Sequence, residues 1–139
     1  MAHWLFKSEP DSWSWQDQLA RGDAGEEWTG VRNYQARNNM RAMKVGDLGF
    51  FYHSNEGKEI VGIVEVCRES APDSTTTDPR WDCVAIRAVR PLARAVSLEA
   101  CKGEPGLGEM VLLRNSRLSV QPVSPGEWAI ICRMGGVGE

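Results

Sequence analysis

Histidine is nearly absent from this chain, and the one pair it has, His3 and His53, stands far apart. The four cysteines, Cys67, Cys83, Cys101 and Cys132, form no C-x-x-C unit. Together these absences argue against a zinc site, and no other metal or cofactor is expected. Nor is there a G-x-S-x-G, an H-E-x-x-H, a Walker loop or a G-x-G-x-x-G, so the familiar hydrolase and nucleotide-cofactor signatures drop out and no catalytic residue is nominated. His53 does adjoin Ser54, but neighbouring strand residues point to opposite faces and make no dyad by proximity. No stretch approaches the ~18 apolar residues of a membrane span. The segment Met1–Ser8 lacks a basic region followed by a long apolar run, so a signal peptide is not expected. Cys67, Cys83 and Cys132 sit among apolar neighbours and read as small buried thiols, which suits a reducing compartment. The expectation is a cytoplasmic protein with no membrane partner.

What is present fits one domain over residues 1–139. The net charge of −3 argues against a general nucleic-acid coat, but it is unevenly spread. Residues 31–46 carry Arg32, Arg37, Arg41 and Lys44 with no acid, whereas acids collect in 9–27 and 56–82. Arg87, Arg90 and Arg94 form a second basic group, Arg114 and Arg117 a third. A basic face on an acidic protein is compatible with a selective nucleic-acid contact. Charge alone fits a solvated surface equally well.

Hydrophobic alternation predicts strands over His3–Ser8, Leu48–Ser54, Ile60–Cys67, Trp81–Ala93 and Arg117–Pro122. The nearly continuous apolar run of Ile60–Cys67 should be covered on both faces, and Gly62 within it suggests a bend or a close backbone approach. Asn55-Glu56-Gly57-Lys58 is a hairpin connection, and residues 70–80 are expected to be a loop. Ser14-x-x-Asp17 and Ser124-Pro125-Gly126-Glu127 have the form of capping boxes, each opening a helix. A third helix is expected from Asn33 to Met43, with Ala36, Met40 and Met43 on its inner face. Short helices are favoured from Ser97 and over Glu109–Arg114. About five strands with short helices between them make an α+β, barrel-like domain. The predicted hairpin argues against a doubly wound sheet.

The stretch 28–54 stands apart. Trp28-Thr29-Gly30-Val31-Arg32-Asn33 leads into Tyr34-Gln35-Ala36-Arg37-Asn38, and Phe50-Phe51-Tyr52-His53-Ser54 follows. Glycine allows close backbone approach, arginine and asparagine can bond base edges or phosphate, and aromatic faces can stack a base. Each of these residues also has a plainer explanation. Trp28, like Trp4, Trp13, Trp15, Trp81 and Trp128, could be a core tryptophan. Asn33 and Asn38 could cap a helix or turn, and His53 could be a satisfied strand histidine.

These residues carry a family resemblance. Trp4-Leu5-Phe6-Lys7-Ser8-Glu9-Pro10, the Trp28–Asn38 string, Met43–Asp47, Tyr52–Asn55, Val61–Val66 and Arg117–Val123 together resemble the EVE domain, in order along essentially the whole chain. The resemblance implies a PUA-like fold: a strongly bent, mixed, five- to six-stranded sheet approaching a barrel and flanked by short helices. It implies kinship with YTH and ASCH domains, and a nucleic-acid partner bound by a monomer. The function implied is that of a reader accepting a modified base, such as 5-methylcytosine or 5-hydroxymethylcytosine in DNA, or a modified base in RNA. By position the base pocket would comprise Lys7, Ser8, Trp28, Val31, Arg32, Asn33, Tyr52, His53, Ser54, Arg117, Leu118 and Ser119. Lys7, Arg32, Arg37, Arg41 and Lys44 would contact phosphate, and Trp28 would be the stacking wall. One departure is Ala71 ahead of Pro72-Asp73, where the family carries an aromatic, so contacts from that loop are not expected. The alternative is an enzyme or accessory subunit acting on a nucleobase or small aromatic metabolite in the same pocket.

Overall fold

The computed structural model describes residues 1–138. Six strands form one mixed sheet: β1 (His3–Ser8), β2 (Glu26–Glu27), β3 (Leu48–His53), β4 (Glu59–Pro72), β5 (Asp82–Ser97) and β6 (Val120–Val123). Their order across the sheet is β2-β5-β4-β3-β1-β6, so β2 and β6 lie at opposite edges and the barrel stays open. Five helices accompany it: α1 (Trp15–Ala20), α2 (Tyr34–Ala42), α3 (Leu98–Lys102), α4 (Val111–Arg114) and α5 (Pro125–Met134). β1 pairs in parallel with β3, and every other pairing is antiparallel.

Period-2 alternation divides the apolar side chains between two cores, one on each face of the sheet. Trp4 and Phe6 of β1, Phe51 of β3, and Val64 and Val66 of β4 share the first core with Trp15, Ala36 and Met40 of α1 and α2. Leu5, Phe50, Tyr52, Ile60 and Ile63 share the second with Trp128, Ile131 and Cys132 of α5. This explains the continuous apolar run of β4, which is covered on both sides as expected. Both capping boxes close: Ser14 Oγ accepts from the Asp17 amide at 3.1 Å, and Ser124 Oγ from the Glu127 amide at 3.2 Å. Fixing an otherwise unpaired helix donor in this way stabilises by about 1 kcal/mol per cap.

The structure departs from the sequence reading in four places. β2 was not expected, since Glu26-Glu27 has no strand pattern; it forms because Ala85 and Ile86 of β5 offer an edge to pair with. β4 runs on to Pro72 through register shifts after Val66 and Arg68, into the segment expected to be a loop. There the Arg68 guanidinium donates to the Cys83 carbonyl at 2.8 Å, so a polar stretch is held as strand by tertiary contact. β5, expected to pass Pro91 and end at Ala93, continues to Ser97. From Arg87 onward it has a strand on one side only, where a missing amide proton can cost no ladder bond. Finally, Cys101 is buried while Cys67 is half-buried.

Gly62 makes the close approach its position suggested. A Cβ there would fall 2.4 Å from the outer edge of the Trp15 ring, which packs against the β4 backbone. We therefore expect Gly62→Ala to push Trp15 and α1 off the sheet, at a cost of about 1–3 kcal/mol. A urea midpoint unchanged from that of the wild type would contradict this placement.

Candidate nucleic-acid interface

The loop between β2 and α2 is built around a buried carboxylate. Gly30 adopts a left-handed conformation (φ 82°) that turns its amide toward Asp73, donating to Oδ2 at 2.9 Å. Arg32 donates to the same oxygen at 3.1 Å, and the Thr75 amide donates to Oδ1 at 2.8 Å. Burial by itself would raise the Asp73 pKa, but the bonds from Thr75, Gly30 and Arg32 outweigh it and hold the carboxyl at about 2. A permanently charged carboxylate thus fixes the loop from beneath. Val31 plugs the loop into the first core, and Asn33 caps α2, its Oδ1 accepting from the Ala36 amide at 2.9 Å.

A second wall rises from the end of β1. Ser8 Oγ donates to the Trp13 carbonyl, and the Ser12 and Trp13 amides both donate to the Glu9 carbonyl at 2.9 Å. The half-buried Trp13 indole donates to Gln18 Oε1 at 2.9 Å, and the buried Gln18 donates in turn to the Ile86 carbonyl at 3.1 Å. Trp13 is thereby locked from behind.

Between the walls lies a cleft of about 490 Å³. Lys7, Ser8, Trp28, Val31, Arg32 and Ser119 line it, all of them nominated from sequence, with Gly30, read there as allowing close backbone approach; so do Glu9, Ser12, Trp13, Glu26, Glu27 and Thr29, which were not nominated. Trp28 is both core and wall. Its ring packs edge-on to Phe6 (5.4 Å) and Phe51 (5.8 Å) and is only 8 % exposed. Yet its indole N–H has no acceptor among the described residues and is not sealed from solvent.

The lining carries both signs of charge. Glu26 and Glu27 are paired with Arg21 (3.1 Å) and Arg68 (3.3 Å). The cations are Arg32, bonded to Asp73, and Lys7, whose ammonium donates to the Ser116 carbonyl and whose pKa burial lowers. A carboxylate disfavours a phosphate beside it but can accept from an exocyclic amino group, whereas a cation favours a phosphate.

The other nominated residues lie elsewhere. Tyr52 points into the second core, and burial raises its pKa. Leu118 is buried in the first core, Ser54 gives its amide to the Ser8 carbonyl at 2.9 Å, and Arg117 is exposed. His53 Nε2 accepts from the Trp15 amide at 3.0 Å, and burial lowers its pKa against a weaker opposing effect of Glu59. Arg41 is paired with Asp82 at 2.6 Å, Arg37 lies over the Tyr34 ring, and Lys44 is exposed just past α2. Among the described residues no group of three His, Cys, Asp or Glu side chains could hold a metal ion.

A family model described as the EVE domain matches residues 2–134. Chicken thymocyte nuclear protein 1 is 38 % identical over 93 % of this chain, which spans 66 % of that protein's length, just under two-thirds. A crystal structure of an Agrobacterium tumefaciens protein, 62 % identical, superposes with a TM-score of 0.98 over 99 % of this chain and 94 % of that one. Human THYN1 in complex with 5-methylcytosine-containing DNA is 34 % identical, with a TM-score of 0.91 and full coverage of both chains. A YTH domain from Zygosaccharomyces rouxii, at 14 % identity and a TM-score of 0.59, shares the fold alone.

Two expectations test this geometry. Asp73→Asn should cost about 2 kcal/mol, since bonds to a charged group are exchanged for weaker ones, and should increase proteolysis within 29–33. Equal stability and equal protection would show that the carboxylate is not the anchor. For pH, the folded state holds His3 and His53 below their ordinary value of 6.5. Their contribution to stability is therefore complete above that value and is lost as pH falls through it toward the lowered folded values. His53→Gln keeps an acceptor for Trp15 and should flatten part of this loss. An unchanged slope of urea midpoint against pH would exclude His53 as a source.

Proposed function

The chain belongs to the EVE domain family, and from that premise we propose that it is a non-catalytic reader of modified bases, with 5-methylcytosine-type DNA as its first ligand class. The observation carrying the proposal is the cleft itself. It has an edge of Trp28 with an unused donor, a second indole at Trp13, the carboxylates of Glu26 and Glu27, and the cations Lys7 and Arg32. A base swung out of its stack offers a face to the Trp13 indole and a polar edge to Trp28 Nε1 and the glutamates, while its phosphates stay near Lys7 and Arg32. Human THYN1, alike over the whole of the chain solved with 5-methylcytosine-containing DNA, supports the same ligand class here. RNA carrying a modified base is the second class.

The enzyme alternative needs an activated water or nucleophile in the pocket, for instance through His53. That residue is bonded through Nε2 to the Trp15 amide and does not line the cleft.

Fluorescence anisotropy should separate these readings. Oligonucleotides carrying cytosine, 5-methylcytosine or 5-hydroxymethylcytosine, with a matched RNA set, are compared on wild type, Trp13→Ala and Trp28→Phe. A stacked aromatic contributes about 1–3 kcal/mol, so Trp13→Ala should weaken the preferred ligand by at least about fivefold. Trp28→Phe, which keeps the core filled but removes the donor, should erode the preference for the modified base. Affinity that ignores modification and survives both substitutions would overturn the proposal.

A further inference from the structure

Beside the cleft lies a layered cluster that shares only Arg32 with the base site. Tyr34, the first residue of α2, stacks on Trp81 with ring centroids 5.1 Å apart and planes at 24°. Arg37 lies over the Tyr34 ring at 4.9 Å, and Arg32 over Trp81 at 5.6 Å. Arg80 adds a further contact to Trp81 at 5.8 Å and donates to the Tyr34 hydroxyl at 3.2 Å. Tyr34 nonetheless remains 51 % exposed, which is unusual for a large aromatic held so firmly.

The charges within this cluster are not equivalent. Arg32, Arg41 and Arg80 each face a carboxylate: Asp73, Asp82 and Asp78. Arg37 has no carboxylate partner among the described residues. Its Nε and Nη2 donate to Asn38 Oδ1 at 3.2 and 2.8 Å, and Nη1 donates to the Arg80 carbonyl at 3.0 Å. A guanidinium has five N–H groups, so two remain for a ligand. Here is an un-neutralised cation, fixed in orientation before anything binds. It is continuous with the cleft, because Arg32 belongs to both the cleft lining and the stack.

We propose that this Arg32–Trp81–Tyr34–Arg37 layer is a second nucleic-acid contact, for the strand flanking the base held in the cleft. Arg37 binds the phosphodiester next to that base, and the exposed part of Tyr34 packs against the adjoining nucleotide. The inference rests on the reader function proposed above. It adds that the chain recognises a nucleotide within a strand rather than a free nucleoside. The fixed guanidinium suits this role, since little side-chain freedom is lost when a phosphate binds.

The test uses the modified oligonucleotide that wild type prefers and the corresponding free nucleoside, with affinities taken by direct and competition anisotropy. Tyr34→Ala and Arg37→Gln should each weaken oligonucleotide binding by about fivefold or more while leaving nucleoside affinity unchanged. Arg37→Gln should also reduce the slope of log affinity against log salt by about one. Trp13→Ala should weaken both ligands. If Trp13→Ala weakens binding but Tyr34→Ala and Arg37→Gln match wild type on the oligonucleotide, the reader function stands and the second contact falls. Equal losses on nucleoside and oligonucleotide would make the layer a brace for the cleft, which also overturns it. Should wild type bind no oligonucleotide better than nucleoside, both proposals fall.

Discussion

Parallel strands cannot be joined by a tight turn, and β1 and β3 are parallel neighbours in the middle of the sheet. The chain must therefore leave β1 at Ser8, cross one face of the sheet and return at Leu48. Most of the candidate site comes from that crossover. Glu9, Ser12 and Trp13 come from its outward limb, Glu26–Arg32 from its middle, and Tyr34 and Arg37 from its last helix. The crossover is held down by its own core residues, Trp15, Trp28, Val31, Ala36 and Met40, packed against Phe6, Phe51 and Val64. The cleft is what remains open where the two limbs pass the end of β1. The connection which the parallel pairing makes unavoidable also supplies the functional surface.

The same pairing shows why a basic segment does not make a generic nucleic-acid coat. Asp73 and Asp82 come from the end of β4 and the start of β5, and they meet Arg32 and Arg41 of the crossover. Much of the cationic character legible in residues 31–46 is thus neutralised on folding. The uncompensated cations left around the site are few and placed: Lys7 in the cleft lining, Arg37 on the stack, Arg117 nearby. Few phosphate contacts give weak general affinity, so discrimination must come from the cleft.

How far this was legible in the sequence follows from the range of each interaction. The strands β1, β3 and the core of β4, and the Ser14 and Ser124 caps, are local patterns, and they were readable. Glu26-Glu27 as a strand and the Asp73 anchor depend on partners far off in sequence, Ile86 for Glu26 and Gly30, 43 positions away, for Asp73, and the polar end of β4 depends on Cys83, 15 positions from Arg68; no local pattern encodes any of these. Ala71 drew attention to a lost aromatic on that loop, while its neighbour Asp73 two positions on became the anchor of the site. Other differences were avoidable. Tyr52 was grouped with His53 and Ser54, and Leu118 with Arg117 and Ser119, although alternation sends adjacent strand residues to opposite faces. Phe51 and Tyr52 do diverge in this way, one into each core. Trp13 was readable as more than core filling, since it follows a Pro-Asp-Ser turn with no apolar periodicity around it.

Trp28 and Trp13 divide the work of the cleft in a way that bears on how it recognises a ligand. Trp28 is fixed by aromatic edges on the core side, so its exposed edge cannot swing to meet different shapes. Trp13 is fixed by a hydrogen bond to Gln18, itself tied to the β5 backbone. With both indoles held before binding, the cleft has little ordering entropy to lose. Such rigidity favours discrimination between bases that differ by one small substituent, because a site unable to repack cannot absorb a missing or misplaced group. The contribution of a single methyl in a fitted pocket is still only about 1–3 kcal/mol. The proposed reader, built this way, needs affinity from outside the pocket to bind at useful concentrations, and the strand contact proposed at Tyr34 and Arg37 would supply it.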